Sequence, residues 1–185
     1  MRKSANPKYN WGGLNYRFIY HTLNKEKGLL VLSFPAAGDI YFYSVFDEKM
    51  YRVPQTTTFS EYIRPFRKRK IWYGSLAKQD YIMHYYRNYS FQAIYWDPYR
   101  KVYYRFAEKP NSSFDYYDYQ TYYKEKALFV LDEKLAVSCE CSIPPDYYKM
   151  TEYAFVTRDG LCILLYQPGM DSFYIGVYEI NVSNQ

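Results

Sequence analysis

A short segment rich in tyrosine and aspartate offers the clearest chemistry in the sequence. It reads Phe114-Asp-Tyr-Tyr-Asp-Tyr-Gln-Thr-Tyr-Tyr123. Tyrosine rings stack on the apolar faces of sugars, and Asp or Gln side chains hydrogen-bond to sugar hydroxyls. A glycan- or protein-binding loop is therefore one hypothesis, although a connecting loop whose tyrosines cover neighbouring sheets is the commoner outcome. The candidate ligand-binding residues are Asp115, Tyr116, Tyr117, Asp118, Tyr119 and Tyr122.

A run of basic residues followed by aromatic ones is the second candidate site. Guanidinium and ammonium groups can hold phosphates while neighbouring aromatic rings stack on bases. The net charge is only +5, however, and basic residues elsewhere are largely balanced by acids. We therefore predict a solvated loop here rather than a nucleic-acid interface. The residues of this basic patch are Arg64, Arg67, Lys68, Arg69 and Lys70.

The sequence shows no catalytic or metal-binding motif. His21 and His84 lie among aromatic residues, without a Ser or Cys nucleophile in a known local motif. We find neither a Gly-rich phosphate loop nor a metal-ligand spacing, and expect no catalytic residue, metal or cofactor. The enzymatic alternative is a glycoside hydrolase that uses two facing carboxylates. Its acids would come from Asp97, Asp115, Asp118, Asp132 and Glu140.

Two cysteines are separated by one residue in the segment 135–143. Strict strand alternation places Cys139 and Cys141 on the same face as Leu135, Val137 and Ile143. We predict that both are small buried core residues, since a metal or redox site would need further ligands.

Strand–turn–strand units with an aspartate in the turn would position these residues. Four such units recur, with Asp47, Asp97, Asp132 and Asp159 in their turns. An aspartate in a turn bonds the local backbone, which explains these carboxylates without assigning them chemistry. Hairpins that recur between β-branched and aromatic residues predict a meandering antiparallel sheet protein.

Three blade-like units organise the chain as a single domain over residues 1–185. They cover 14–54, 91–143 and 153–181, with an irregular insertion at 55–90 that includes a short helix capped by Ser75. Strands that are apolar on both faces are typical of stacked sheets. We predict an all-β fold of antiparallel meander sheets, β-propeller-like with about three blades. Closed propellers use roughly four to eight blades, so the ring would be partial.

Composition is compatible with one domain that has a sizeable core. The chain has 185 residues, of which 49% are hydrophobic, and it contains 27 tyrosines. Tyrosine suits half-buried pleated surfaces. No apolar stretch is long enough to span a membrane, and the basic N-terminus lacks the apolar region of a secretory signal. We therefore predict no transmembrane segment and no signal peptide.

The most specific motif runs Phe91-Gln-Ala-Ile-Tyr-Trp-Asp97-Pro-Tyr-Arg-Lys-Val-Tyr-Tyr-Arg105. Together with Val130-Leu-Asp132-Glu and Phe155-Val-Thr-Arg-Asp-Gly-Leu161, it resembles an uncharacterised Bacteroidetes family. That family is a domain of unknown function related to six-bladed β-propeller lipoproteins. The resemblance covers about residues 28–182 and corresponds to the C-terminal half of longer members. It implies a periplasmic or cell-surface location, although this chain shows no lipobox cysteine, and it supplies no catalytic residues.

The function expected from these features is a non-enzymatic binding or scaffold module with a glycan or protein partner at the bacterial envelope. Self-association through open blade faces is a further expectation, because a partial ring leaves its end blades uncovered. The alternatives are the glycoside hydrolase and a truncated remnant of a longer propeller protein.

Overall fold

The computed structural model describes residues 18–55, 75–143, 148–166 and 172–179, with the side chains of 75–78 and 148–150 outside that description. Eleven strands and one helix occupy these residues. The first sheet contains β1 (Tyr20–Asn24), β2 (Leu29–Ser33), β3 (Ile40–Ser44) and β4 (Lys49–Val53). Helix α1 (Ser75–Tyr86) precedes the second sheet, which contains β5 (Ser90–Asp97), β6 (Val102–Glu108), β7 (Lys126–Leu131) and β8 (Val137–Ile143). The third sheet contains β9 (Tyr148–Val156), β10 (Leu161–Tyr166) and β11 (Phe173–Tyr178).

Each sheet is an antiparallel meander whose strands pair in the order of the sequence. The first turn shows why hairpins form so readily here. Gly28 adopts a positive φ of 60°, which costs glycine little, and the Asn24 side chain accepts a hydrogen bond from the Lys27 amide at 3.1 Å. The prediction of an all-β fold built from antiparallel meander sheets is confirmed. Across the described residues, the three sheets form a propeller-like series that does not close into a ring.

The second sheet is sandwiched between the other two. On one side it forms an apolar cluster with Val31 and Ile40 of the first sheet. On the other side it forms a second cluster with Ala154, Leu161 and Ile163 of the third sheet. Strand β1 contacts β5, and β5 contacts β9, so the first strands of successive sheets lie side by side. Burial on both faces explains why β5 to β7 carry so few exposed polar positions.

Buried polar bonds fix how the first and second sheets meet. The side-chain amide of Asn24 donates to the Tyr103 hydroxyl at 2.8 Å, and both residues are fully buried. The Trp96 amide donates to the Thr22 hydroxyl at 3.0 Å. Because an unpaired buried polar group is costly, these bonds restrict the sheets to one relative position.

Asp97 makes the corresponding connection toward the third sheet. Its buried carboxylate accepts hydrogen bonds from the amides of Tyr99 and Arg100 at 2.8 and 2.9 Å, and from the Tyr104 hydroxyl at 2.8 Å. The Arg100 guanidinium, 3.2 Å from that carboxylate, also donates to the carbonyls of Thr157 and Arg158. The motif around Asp97 therefore closes its own turn and attaches the third sheet.

The other turn aspartates differ in what they bind. Asp132 accepts from the backbone amides of Lys134 and Ala136 at 2.8 and 2.9 Å, as a turn aspartate should. The Asp47 carboxylate instead accepts hydrogen bonds from the hydroxyls of Ser44 at 2.7 Å and Tyr51 at 3.4 Å, which are side-chain donors. At Asp159 the described bond runs from its own amide to the Thr157 hydroxyl.

The prediction that Cys139 and Cys141 are buried is wrong, because both are exposed. A register shift in the β7–β8 pair pairs Leu131 with Val137 but Val130 with Cys139. This bulge breaks strict alternation, so Val137 packs on the cluster of the first and second sheets while the thiols face the opposite side. Strand β8 is the outer strand of its sheet, and its residues 138–142 are exposed on both faces.

Helix α1 begins at Ser75, the residue expected to cap it. It lies between the first and second sheets along the chain and contributes aromatic side chains to the loop described next. Among the residues that the structure describes, no helix combines the length and apolarity required to cross a membrane.

Candidate ligand-binding loop

The tyrosine loop comprises residues 109–125, which connect β6 to β7. Its two ends are joined by a hydrogen bond from the Lys109 amide to the Glu125 carbonyl at 2.7 Å. Within it, the buried Asn111 side chain donates to the carbonyls of Thr121 and Tyr123 at 2.9 and 3.2 Å. The loop is therefore closed on itself by its own polar groups rather than extended over the surface.

Aromatic packing anchors the loop to helix α1. The buried ring of Phe114 stacks on Tyr86 with 4.2 Å between ring centroids and 2° between ring planes. Tyr122 packs against both rings, and its hydroxyl donates to the Tyr116 carbonyl at 2.6 Å. Burial, followed by Tyr116 and Asp115, raises the pKa of Tyr122. Tyr122 thus serves the loop's own structure.

The two loop carboxylates organise successive turns. Asp115 accepts from the Tyr117 amide at 3.0 Å through Oδ1. Asp118 accepts from the Gln120 amide at 3.0 Å, also through Oδ1, and caps a 3₁₀ turn over Tyr119–Thr121. The hydroxyl of Thr121 donates to the carbonyls of Asp115 and Asp118. These bonds hold the backbone that carries the tyrosines.

Three tyrosine rings project from this scaffold into solvent. Tyr117 and Tyr119 are 82% and 80% exposed, and Tyr123 is 58% exposed. Tyr116 is half-buried and lies edge-on to Tyr117, with 5.4 Å between ring centroids. The Tyr117 hydroxyl also accepts a bond from the Gln79 side chain of α1 at 3.4 Å. The structure therefore separates two highly exposed candidates, Tyr117 and Tyr119, from Tyr122, which is 38% exposed and engaged within the loop.

Lys124 lies beneath the loop and joins it to the end of helix α1. Its side chain is buried, and its ammonium donates to the carbonyls of Tyr85 and Asn88 at 3.1 and 2.8 Å. The ammonium also lies 4.2 Å from the Tyr85 ring centroid and 3.9 Å from the Glu108 carboxylate. Desolvation lowers the pKa of Lys124 to about 8, against the opposing effect of Glu108. A lysine at a helix C-terminus satisfies carbonyls that the helix leaves unpaired.

Sequence reasoning missed several participants in this region. Tyr123 lies in the same aromatic segment but was not among the candidates. Gln79 and Lys124 carry no local pattern that would link them to the loop, because their contacts depend on how α1 docks. The basic patch formed by Arg64, Arg67, Lys68, Arg69 and Lys70 lies outside the described residues. Among the described residues, no group of three or more His, Cys, Asp or Glu side chains is arranged so that it could hold a metal ion.

The fold and loop together define a class: an all-β protein of stacked meander sheets that presents an aromatic loop on one sheet connection. Residues 2–140 match the model of DUF4221, a domain of unknown function. The chain belongs to the DUF4221 family.

A solved structure of a DUF4221 family member from Bacteroides vulgatus shares this fold. The TM-score is 0.64 and the identity 21%, over 87% of this chain and 46% of that one, so this chain spans about half the length of the Bacteroides protein. An acylaminoacyl peptidase from Pyrococcus horikoshii gives a TM-score of 0.27 at 10% identity, over 94% and 34% of the two chains, which is too low to support an argument. No curated protein sequence matches the chain significantly.

Proposed function

We propose that the chain is a non-enzymatic binding module whose ligand surface is the tyrosine loop. The observation that carries this proposal is the exposure of Tyr117 and Tyr119 on a loop whose backbone is held by internal bonds. Tyrosine offers a large amphipathic contact area with few rotatable bonds. A loop ordered before binding loses less conformational entropy when a ligand arrives.

A glycan is the ligand that this chemistry suits best, and a protein segment is the second choice. Exposed rings can stack on the apolar face of a pyranose. The carboxylates of Asp115 and Asp118 use Oδ1 for the loop, so their second oxygen offers an acceptor for sugar hydroxyls. Tyr116 and Tyr122 would contribute by shaping the loop.

The test is binding of the purified chain to a glycan panel, followed by substitution of the exposed rings. We expect Tyr117→Ala and Tyr119→Ala each to weaken binding at least tenfold, while thermal stability stays unchanged because both rings are exposed. Tyr99→Ala is the matched control, since Tyr99 is 54% exposed on the β5–β6 turn, outside the loop. Equal binding by all three variants would remove the loop from consideration.

Tyr122→Ala should behave differently from the other loop substitutions. It removes a ring that packs on Phe114 and a hydroxyl that bonds the Tyr116 carbonyl. Loss of binding in this variant would therefore come with loss of stability. It is uninformative about direct ligand contact, which is why Tyr117 and Tyr119 carry the test.

The glycoside hydrolase is the weaker alternative. It requires two carboxylates that face each other across a site open to substrate. Asp97 is fully buried and bonded to Arg100 and Tyr104, and Asp132 is bonded to its own turn. Turnover on a glycoside panel that disappears in a single Asp→Asn variant would favour the enzyme instead.

The setting we propose is the bacterial envelope, within a group related to six-bladed propeller lipoproteins. In that setting the chain is one domain of three blades, over 14–54, 91–143 and 153–181, with the basic patch as a solvated loop. Its scaffold role would include self-association through the open faces of the end blades. The remnant alternative predicts instead that added upstream coding sequence supplies further blades.

A further inference from the structure

Each end sheet has one face packed on the second sheet and a second face that carries exposed apolar side chains. In the third sheet, the strand register pairs Cys162 with Val177, Leu164 with Ile175 and Tyr166 with Phe173, which places these side chains on one face. We call this the trailing face. Its exposed members are Phe155, which pairs with Cys162, and Phe173, Ile175 and Val177.

The first sheet has a matching surface on the side away from the second sheet. Register pairs Leu23 with Leu30, and Leu30 with Tyr43, and Tyr43 with Met50. We call this the leading face. Leu23 and Met50 are exposed there, whereas Val31 and Ile40, on the opposite side of the same strands, are buried against the second sheet.

The second sheet shows what such faces pack against. Both of its faces are apolar, and each is covered by a neighbouring sheet of the same meander type. The trailing face resembles the covered faces in composition, and the leading face carries Arg52 and His21 beside its apolar residues. Both faces lie at the two ends of the series. The surface that fits each of them is therefore another sheet of this kind.

We propose that two copies of this chain close a ring, with the trailing face of each copy packed on the leading face of the other. The inference rests on the proposed self-association and adds to it which faces meet and how many copies the closed assembly contains. Three sheets from each copy give six around the ring, within the four to eight that closed propellers use. A two-fold axis generates both contacts at once, so the assembly is closed.

The length of the Bacteroides protein is comparable with that of two copies of this chain. This chain matches 46% of that protein with a TM-score of 0.64, so the matched fold leaves room for a second portion of similar length. Two copies of this chain supply about the same length of polypeptide as that single protein. Strand β1 contacts β5, and β5 contacts β9, so the first strands of the three sheets lie next to one another on one side of the series.

Solution mass by light scattering on a sizing column tests the assembly. We expect the 185-residue chain to be a dimer, and larger species to be absent at high concentration because a closed ring leaves no free face. A monomer at all concentrations would overturn both the ring and the proposed self-association. A continuing series of larger species would keep self-association but overturn closure.

Two charge substitutions then test which faces meet. Ile175→Lys disables the trailing face and Leu23→Lys the leading face, where the native side chains are 58% and 47% exposed. We expect each variant alone to be a monomer and an equimolar mixture to recover dimer, because the mixture contains one intact pair of faces. Recovery should be partial, since the second contact then places two lysines together.

A contact between like faces gives a different pattern. If trailing faces paired with each other, the Leu23→Lys variant would remain a dimer and mixing would rescue nothing; leading-face pairing would give the reverse. Either pattern overturns the head-to-tail ring while leaving self-association intact. Tyr99→Lys on the second sheet is the control for added charge and should remain dimeric, and circular dichroism checks that every variant is folded.

Discussion

The guanidinium of Arg105 in β6 lies on the ring of Phe91 in β5, 3.9 Å from the ring centroid, and both side chains are buried. Its nitrogens donate to the Ser33 hydroxyl at 2.9 Å, the Ala37 carbonyl at 2.7 Å and the Gly38 carbonyl. Desolvation lowers the pKa of Arg105 to about 9, opposed by Asp39. One side chain of the second sheet thus satisfies the β2–β3 loop of the first sheet from within the core.

Replacing Arg105 should destabilise the protein strongly. Arg105→Ala leaves buried acceptors in the β2–β3 loop without their donor and opens a cavity beside Phe91. Unsatisfied buried groups cost about 1–3 kcal/mol each, so we expect the free energy of unfolding to fall by roughly 3 kcal/mol or more. Denaturant unfolding measures this change.

The matched control for that prediction is Arg52→Ala. Arg52 pairs with Asp39 at 2.6 Å, but more than half of its side chain is exposed. Exposed ion pairs contribute about 0–1 kcal/mol, so this variant should differ little from the parent. A similar loss of unfolding free energy in both variants would mean that the buried hydrogen bonds of Arg105 contribute no more to stability than an exposed ion pair.

Stability at alkaline pH should decline partly through Tyr95. Its hydroxyl donates to the Thr151 carbonyl at 2.8 Å, between the second and third sheets, and desolvation raises its pKa from 10.0 to about 12. Below pH 10 the contribution of Tyr95 to stability is fully present, because its hydroxyl is protonated in both the folded and the unfolded chain. It is lost between about pH 10 and 12, where the unfolded chain binds fewer protons than the folded one.

Tyr95→Phe isolates this effect. The variant should lose about 1 kcal/mol near neutral pH, for one hydrogen bond, and its stability should then fall less steeply above pH 10. Circular dichroism during denaturation at a series of pH values gives the slopes. Parallel slopes for parent and variant would show that Tyr95 does not ionise on unfolding in this range.

Lys124 should control the docking of helix α1 and the tyrosine loop together. Lys124→Ala removes the donor to the Tyr85 and Asn88 carbonyls, so we expect faster amide hydrogen exchange in 85–88 and in the tyrosine loop. Exchange in β10 should stay unchanged, because that strand lies in the third sheet. Lys134→Ala, at an exposed turn, is the control and should alter neither region. Unchanged exchange in Lys124→Ala would leave α1 docked by its aromatic contacts alone.

The same residue has a second, pH-dependent signature. The ordinary pKa of a lysine is 10.5, and in the folded chain the pKa of Lys124 is lowered to about 8. Between these values the unfolded chain binds more protons than the folded chain, so the contribution of Lys124 to stability rises with pH. Comparing parent with Lys124→Ala between pH 8 and 10 should show the parent gaining relative to the variant, and an invariant difference would contradict this assignment.

The sequence predicted the meander fold because hairpins are local. Turn residues such as Gly28 and Asp132 act on their own neighbours, so their effect is visible in a short segment. The bulge in β8 was missed because it depends on pairing with β7 and inverts the faces of the residues that follow it. Arg105 gave no sign of burial either, since its acceptors lie about seventy residues away in the chain.

The tyrosine loop was predictable in composition but not in role. Sequence places Tyr117, Tyr119 and Tyr122 in one aromatic segment and cannot rank them. Tyr122 differs from the other two because it packs on Phe114 and on Tyr86 of α1. Tertiary contacts therefore decide which members of a uniform segment can meet a ligand.

Thiol reactivity provides a direct check on the exposure of strand β8. Cys139 and Cys141 are exposed with 3.4 Å between their sulfurs, whereas Cys162 is buried in the third sheet. Treatment with a thiol reagent, followed by intact-mass spectrometry, should show two cysteines modified quickly in the native chain and the third only on unfolding.

The pH dependence of the reaction is a further signature. Burial, followed by the hydrogen bond to the Cys139 thiol, raises the pKa of the Cys141 thiol, so its reaction should accelerate as pH rises above neutral. Cys162→Ser should keep the fast phase and abolish the slow one. Protection of all three thiols in the native chain would contradict the exposure of Cys139 and Cys141.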